Sequence, residues 1–528
     1  MSRAHVPYVT SQPRPSPQRR EWLRVLPPSP KNLHPLVGVS PKMITFVITM
    51  TIDEFISRVE QQMGFSPTAD QHRAVTEIAR FLAFRHDHAV MVMRGSAGTG
   101  KTTLTAALVR TLASLRQKMV LLAPTGRAAK VLSHYSGMAA FTIHRKIYRE
   151  RSVAAGGGVF NLNDNLHADT LFVVDEASMI ANEGLGESVF GTGCLLDDLI
   201  TYVYGGRNCR LMLIGDTAQL PPVGEEESPA LAAEVLQGYG LSVFQADLDE
   251  VVRQAGESGI LYNATMIRTM ITHDAMTQLP RIRLQGFADV CVVPGNELIE
   301  ALSQSYHHVG VDDTIVVTRS NKTARIYNLG IRSTILDRGD DLLSSGDRLM
   351  IVKNHYLPLA SVQGEDRPPF AFIANGDCCR VVKVRRQREM HGLNFADVWL
   401  QFPDYDNYEY QSTVVLDSLS TDAPALTREQ SDQLYQRVLD DYADLPRKAD
   451  RMAAMRQDPY FTALQIKFAY AVTCHKAQGG QWAHVYIDQG YMTDDMLTPD
   501  YIHWLYTAFT RARERLFLVN WRHGQIEG

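Results

Sequence analysis

The chain has 528 residues, 45% of them apolar and 21% charged, which is room for about two to four ordinary globular domains. No uncharged apolar run reaches the roughly 18 residues of a membrane-crossing helix, so the expectation is a cytoplasmic protein with no membrane partner. The formal net charge is -5, so any affinity for nucleic acid must come from a local basic groove. Six cysteines, Cys378 and Cys379 adjacent and none in Cys-x-x-Cys spacing, fit a reducing compartment without structural zinc.

Residues 1–50 read as a disordered tail. Segments such as Ser11-Gln12-Pro13-Arg14-Pro15 and Pro27-Pro28-Ser29-Pro30 continue neither a helix nor a central strand. The tail is either a basic arm that touches nucleic acid or upstream sequence attached by a mis-called start. The second is favoured, because Met50-Thr51-Ile52-Asp53 opens the first well-patterned helix. A second helix is expected from Ser66-Pro67, with Val75, Ile78 and Leu82 on one face. Short unalternated apolar runs follow at 89–93, 119–123, 171–174 and 211–214. They have the texture of a parallel sheet covered on both faces, which makes residues 51–246 a doubly wound α/β lobe. A second α/β lobe is expected over 247–340 and 466–528, with a strand at 314–318 and the pattern resuming at 466–473. Residues 341–465 interrupt it with a β-rich texture, including strands near 348–352 and 379–384 and a hairpin-type turn at Asn375-Gly376. A charged helix then carries Leu434, Val438 and Tyr442 on one stripe.

Gly95-Ser96-Ala97-Gly98-Thr99-Gly100-Lys101-Thr102 follows the first expected strand and opens a helix, the full phosphate-loop pattern in its required context. Its glycines let backbone N–H groups close on phosphate oxygens, Gly98, Thr99 and Gly100 among them, and the helix N-terminus adds positive potential. Lys101 reaches the β- and γ-phosphates of ATP, and the Thr102 hydroxyl holds Mg²⁺. Asp175 and Glu176 close the run 171–174: Asp175 as a Mg²⁺ ligand, Glu176 as the group that orients or deprotonates the attacking water. An isolated Asp-Glu pair is more often an acidic helix cap; the phosphate loop upstream reverses that preference. Gln219, in Gly215-Asp216-Thr217-Ala218-Gln219-Leu220-Pro221-Pro222, is placed to sense the γ-phosphate. Arg253 and Arg511 lie far from the loop in sequence. Either could act from a second lobe on the transferring phosphoryl group, although by spacing alone each is more often a surface arginine.

The order of these segments resembles the superfamily-one DNA helicases of the RecD/Dda type, from about Phe65 to Arg515. The resemblance is carried by Gln71, the phosphate loop, Ala123-Pro124-Thr125-Gly126-Arg127-Ala128-Ala129, Thr142-Ile143-His144 and Val174-Asp175-Glu176-Ala177-Ser178. It continues through Gly215-Asp216-Thr217-Ala218-Gln219-Leu220-Pro221, Val252-Arg253-Gln254, Thr473-Cys474-His475-Lys476-Ala477-Gln478-Gly479 and Tyr506-Thr507-Ala508-Phe509-Thr510-Arg511-Ala512. It implies two RecA-like lobes with ATP between them, Gln71 reading the adenine, and Arg253 and Arg511 as trans-acting arginines. Gly480 would approach the nucleotide through its backbone, while Gln481 stands where relatives often carry an acidic residue near the ribose. Single-stranded DNA would cross both lobes on Pro124, Thr125, Arg127, Thr142 and His144, then on Thr473, His475 and Lys476. Movement would run 5′-to-3′.

The resemblance also implies a β-hairpin wedge, here residues 146–168, with Gly156-Gly157-Gly158 at the tip and Phe160 stacking on the fork base pair, or else merely covering the lobe. It likewise implies an SH3-like insertion at 341–465. Forked duplex DNA and single-strand-binding or recombination proteins are the partners expected of such a motor. An ATP-gated clamp that grips single-stranded DNA within a larger complex is the alternative. A nuclease fusion is disfavoured, and an RNA track remains open because phosphate contacts separate the two sugars poorly.

Overall fold

The computed structural model describes residues 50–84, 86, 88–150, 160–182, 190–251, 258–273, 278–357, 372–493 and 496–527. The readings made for residues 1–49, the Gly156-Gly157-Gly158 tip and Arg253 fall outside the described residues.

Thr51 caps the opening helix Ile52–Met63, its hydroxyl accepting the Glu54 N–H at 3.2 Å. The next helix begins at Ala69 rather than at Ser66-Pro67. Thr68 and Gln71 form a reciprocal capping box there, satisfying two N–H groups that a start at Ser66 would leave free. Val75, Ile78 and Leu82 are buried on its inner face.

The first lobe contains β1 (Ala89–Gly95), β2 (Lys118–Ala123), β3 (Ala140–Thr142), β4 (Tyr148–Glu150), β5 (Phe160–Leu162), β6 (Thr170–Val174), β7 (Arg210–Gly215) and β8 (Ser242–Leu248). All except β4 and β5 form one parallel sheet in the order β3-β2-β6-β7-β1-β8. Alternate residues of β1 feed opposite cores: Met91 and Met93 meet the helices Ile52–Met63 and Ala69–Ala83, while Val90 and Val92 meet the other face. Both faces are covered, which is why these runs are continuously apolar. β4 and β5 pair antiparallel as a separate hairpin.

The second lobe carries β9 (Ile282–Arg283), β10 (Val290–Val293) and β11 (Thr314–Thr318). The chain then enters β12 (Arg348–Ile351), β13 (His355–Tyr356), β14 (Phe372–Ile373), β15 (Cys378–Met390), β16 (Leu393–Phe402), β17 (Tyr408–Val415) and β18 (Leu464–Phe468). It returns through β19 (Ala471–Thr473), β20 (Trp482–Asp488), β21 (Ala512–Val519) and β22 (Ile526–Glu527). A parallel sheet runs β10-β21-β20-β11-β19, and β12, β15, β16, β17 and β18 close into a small barrel.

Two local expectations change here. The run 466–473 is not one strand: Leu464–Phe468 belongs to the barrel, and the chain passes through Ala469 and Tyr470 into the sheet at Ala471. Every residue from Leu464 to Phe468 except Lys467 is buried in the barrel, so the apolar run crosses a boundary without a polar break. Asn375-Gly376 is a turn but not a hairpin, because β14 pairs with β13 while β15 pairs with β12 and β16. Leu434 and Val438 are buried as expected, on the helix Arg428–Asp441 that packs beside Phe395. No helix among the described residues is long and apolar enough to cross a membrane.

Barrel and second sheet share one core, in which Val316 and Tyr486 sit with Leu349, Val398 and Phe402. Their junction is electrostatic. Asp347, fully buried, takes Arg332 at 2.9 Å, the Ser344 N–H at 2.8 Å and the Tyr470 hydroxyl at 3.0 Å. Removing the carboxylate would leave the buried Arg332 cation uncompensated, a loss of about 3–5 kcal/mol. Asp347→Ala is therefore expected to lower stability by about that amount in urea unfolding; a change under about 1 kcal/mol, the worth of a surface pair, would contradict the assignment.

Candidate nucleotide cleft and nucleic-acid groove

The phosphate loop leaves β1 at Gly95 and enters the helix Lys101–Ser114. Gly98 and Gly100 hold φ of 79° and 80°, the left-handed region that only glycine occupies freely. This turn aims the first N–H groups of the helix into the loop. Lys101 donates to the Gly95 carbonyl and lies 3.8 Å from Asp216; Thr102 is exposed on the first helical turn.

Asp175 and Glu176 follow β6 at the same edge of the sheet. Asp175 accepts the Tyr135 hydroxyl and the Glu176 N–H, the latter at 2.9 Å. Burial, then Asp175, raise the Glu176 pKa above the ordinary carboxylate value, against the pull of Arg511 and Lys101. Glu176 therefore sits near two of the cations expected to contact phosphate, Lys101 and Arg511. Gln219 follows β7, and its Oε1 is buried with no hydrogen-bond partner among the described residues, an acceptor that costs free energy until a donor reaches it.

Gln71 is fully buried, accepting the Thr68 N–H at 3.0 Å and donating to the Thr99 carbonyl at 3.0 Å. One end of its amide thus closes the helix cap and the other braces the phosphate loop, and an adenine contact would exchange one of these bonds. Arg511 is buried. It donates from Nε to the Thr507 carbonyl at 2.9 Å, from Nη1 to the Gly480 carbonyl at 3.2 Å and from Nη2 to the Thr510 hydroxyl at 2.9 Å.

Three residues at this cleft were assigned no role from sequence. Tyr506, on the second-lobe helix Pro499–Phe509, accepts the Ala97 N–H of the phosphate loop at 2.9 Å and donates to Asp216 at 2.7 Å. Arg268, on the helix Gly259–Thr272, donates to the Ser96 hydroxyl at 2.8 Å. Asp216 receives the tyrosine. The only sequence signal for Tyr506 and Asp216 was membership of quoted motifs; Arg268 lies in none. The lobes also meet where Leu220 N–H donates to Thr507 Oγ1 and Leu220 O accepts from Gln478 Nε2, both at 2.8 Å.

On the other side of this contact lies a cavity of about 210 Å³. It brings together Thr125 and Arg127 from the first lobe, His475 and Lys476 from the second, and Arg348 and Asn375 from the barrel. Burial lowers the pKa of Arg127, His475 and Lys476. Arg127 lies 4.0 Å over the Trp482 ring and donates to the Gln481 carbonyl at 3.1 Å. Lys476 donates to Asn375.

Gly480, expected at the nucleotide, lies beside this groove: a Cβ there would lie 2.6 Å from the Trp482 ring and 2.8 Å from Arg127 Nε. Pro124 precedes Thr125 at the end of β2, and Thr473 borders a smaller cavity that shares Lys476. Thr142 and His144 do not line the groove. Thr142 caps a short helix through the Arg145 N–H at 3.2 Å, and His144 packs edge-on to Phe190 at 4.9 Å. Phe160 is 5% exposed against Phe190, so the ring covers the lobe and offers no face to a base.

Removing the Tyr506 hydroxyl frees the Ala97 N–H for an anion. Tyr506→Phe is expected to bind a non-hydrolysable ATP analogue about tenfold more tightly, the worth of one hydrogen bond; equal or weaker binding would show that the hydroxyl does not compete with nucleotide. Burial lowers the His144 pKa to about 4, below the ~6.5 of an unfolded chain. Its contribution to stability is then complete above pH ~6.5 and is lost as pH falls toward about 4, where the unfolded chain binds the extra proton. His144→Phe should lose less stability than wild type between pH ~7 and ~4.5 in thermal melts, and parallel curves would remove the assignment.

Residues 66–279 match the family model described as an AAA domain, and residues 468–519 match that of the UvrD-like helicase C-terminal domain. The ATP-dependent RecD2 DNA helicase of Deinococcus radiodurans is 33% identical over 181 residues, covering 34% of this chain and 21% of that protein. The match thus spans about a fifth of the RecD2 protein's length. The ATP-dependent DNA helicase dda of Enterobacteria phage T4 is 24% identical over 326 residues, covering 60% of this chain and 67% of that protein. Among solved structures, the Pif1 helicase from Bacteroides in complex with ADP-AlF3 and ssDNA aligns at 15% identity and a TM-score of 0.43, over 88% of this chain and 95% of that one. With the ordered motifs, the two family matches make this chain a member of the superfamily-one helicases of the RecD/Dda type.

Proposed function

We propose that the protein is an ATP-dependent DNA helicase that moves 5′-to-3′ on single-stranded DNA and unwinds the duplex ahead of it, in replication, recombination or repair. One observation carries this reading: the segment from Asp216 to Leu220 touches the nucleotide cleft at one end, and at the other a residue that lines the basic groove. Fuel and track would then act on the same few residues.

In this reading ATP is the substrate of the cleft. Lys101 and the loop N–H groups take its phosphates, Glu176 withdraws a proton from the attacking water, and Arg511 and Arg253 stabilise the charge that develops. The Gln219 oxygen, which has no partner among the described residues, and the two left-handed glycines fit a cleft built for a polar ligand. Thr102 and Asp175 are the residues that would hold Mg²⁺, which supplies charge neutralisation at the phosphates when bound. Arg127, Thr125, His475 and Lys476 would position DNA by its backbone, without reading sequence. The β4–β5 hairpin remains the proposed wedge, now without Phe160 as its stacking residue, and the barrel takes the place of the SH3-like insertion. The buried Phe160 is also the observation that favours the second reading, a clamp that grips DNA without unwinding.

A strand-displacement assay on 5′-tailed, 3′-tailed and blunt duplexes decides between them. Unwinding is expected of 5′-tailed DNA alone. Glu176→Gln should lower DNA-stimulated ATP turnover by about 10²–10⁴-fold and abolish displacement, as should Lys101→Ala. Activity restricted to 3′-tailed DNA would overturn the polarity, and DNA-stimulated ATP turnover without displacement would establish the clamp.

A further inference from the structure

The longest strand of the barrel carries a concentration of charge at odds with a chain of net charge -5. β15 bears Arg380, Lys383, Arg385, Arg386 and Arg388 within nine residues. Two of these cations are neutralised: Arg380 pairs with Asp312, and Arg388 takes both oxygens of Asp397 at 2.9 Å. Lys383, Arg385 and Arg386 are exposed, and among the described residues none of them makes an ion pair. Arg386 has φ of 46° at a register irregularity between Arg385 and Arg388, and this bulge lets two consecutive arginines both reach solvent.

The patch is aromatic as well as basic. Trp399 on β16, half-buried, is the register partner of Lys383. Its ring has Lys383 Nζ at 6.0 Å and Arg385 at 5.4 Å. Cations beside a flat ring that a base can stack on are what a sequence-blind single-strand site requires.

The row also starts at the groove. Arg348 and Cys378 line the cavity, and Arg348 is the register partner of Arg380. From Cys378 the strand leads to Lys383 in five residues, about 17 Å at ~3.3 Å per residue. The cavity, at about 210 Å³, is smaller than the ~300–1,000 Å³ of ordinary ligand pockets, so a polymer bound there must continue over the surface. Cations on an open strand edge also discourage pairing with other strands, and beyond Val381, which bonds to Gly346 and Asp347, no strand among the described residues pairs with β15 on the β12 side. That accounts for the charge, but not for the half-exposed tryptophan or for the row that begins at the cavity.

We propose that the outer face of β15, with Lys383, Arg385, Arg386 and Trp399, is a second binding site for single-stranded DNA, holding the phosphates of the strand that leaves the groove. This rests on the groove being the DNA track proposed above.

The test compares oligothymidylates of about 8 and about 24 nucleotides, short and long against ordinary single-strand site sizes, with the full chain. Wild type should bind the longer one more tightly, beyond the statistical gain in sites. In the triple variant Lys383→Gln, Arg385→Gln, Arg386→Gln that increment should vanish, and the slope of log affinity against log salt for the long oligonucleotide should shallow by about 2, at ~0.7 per cation lost. Conservative Lys383→Arg should keep both. An unchanged increment, equal loss at both lengths, or an increment seen only with duplex DNA would each overturn the proposal. Failure of wild type to bind even the short oligonucleotide would instead remove the reading of the groove.

Discussion

The hydroxyl of Tyr506, carried by the second lobe, is held twice by the first, and the chemistry proposed for the cleft turns on that contact. Its oxygen takes an N–H of the phosphate loop, and its proton goes to Asp216, a buried carboxylate 3.8 Å from Lys101. An anion entering the loop competes for the same amide and the same lysine. Lobe separation and anion binding are therefore linked by hydrogen-bond exchange: what the phosphates gain, the tyrosine gives up. Arg268 on the Ser96 hydroxyl adds a second tie of the same kind. A cleft braced in this way responds to its substrate by changing how the halves are held, with no need for a flexible loop to carry the signal.

The continuation toward the groove is equally local. Leu220 donates its N–H to Thr507, next to Tyr506, and its carbonyl accepts from Gln478, which lines the cavity. Beyond Gln478, Arg348 lies 3.9 Å from Asp312, whereas Arg127 and Lys476 form no ion pair among the described residues. Arg127 rests on an indole and a carbonyl, and Lys476 on an amide oxygen. Burial lowers the pKa of both, which means that the charged forms are poorly solvated where they stand. Such cations gain more from a phosphate than solvated surface lysines do, and Gly480 is the residue whose missing side chain lets Arg127 reach the tryptophan.

How much of this could be read from sequence follows from where each signal lives. The parallel sheets were legible because strands buried on both faces are apolar without alternation, as β1, β6 and β7 show. The phosphate loop and the Asp175-Glu176 pair were legible because their chemistry needs adjacent residues in fixed order. Phe160 stayed open between the fork and the lobe surface because an aromatic reads the same in sequence whether it faces a base or, as here, Phe190. The run 466–473 was misjudged because barrel and sheet share one core and no polar residue marks the crossing except the half-buried Lys467. Arg268, Arg348 and Asn375 reach their sites only through packing between lobes and barrel, so no spacing along the chain could announce them.

The barrel is where these constraints meet. Asp347 ties it to the second lobe through Arg332 and Tyr470, and Asn375 meets the groove lysine. It also reaches the first lobe, where Lys130 lies 3.2 Å from Asp404 and donates to the Pro403 carbonyl at 2.7 Å. A body tied to both lobes cannot follow either one without straining its tie to the other. The two ties differ in kind: the Asp347 network is buried and costly to break, whereas Lys130 is half exposed and its pair is worth little. Were the lobes to part, as the proposed cycle requires, the barrel would travel with the second lobe and its contact with the first would open. The roof of the groove would then rise on the side of Thr125 and Arg127, where an incoming strand would have to pass.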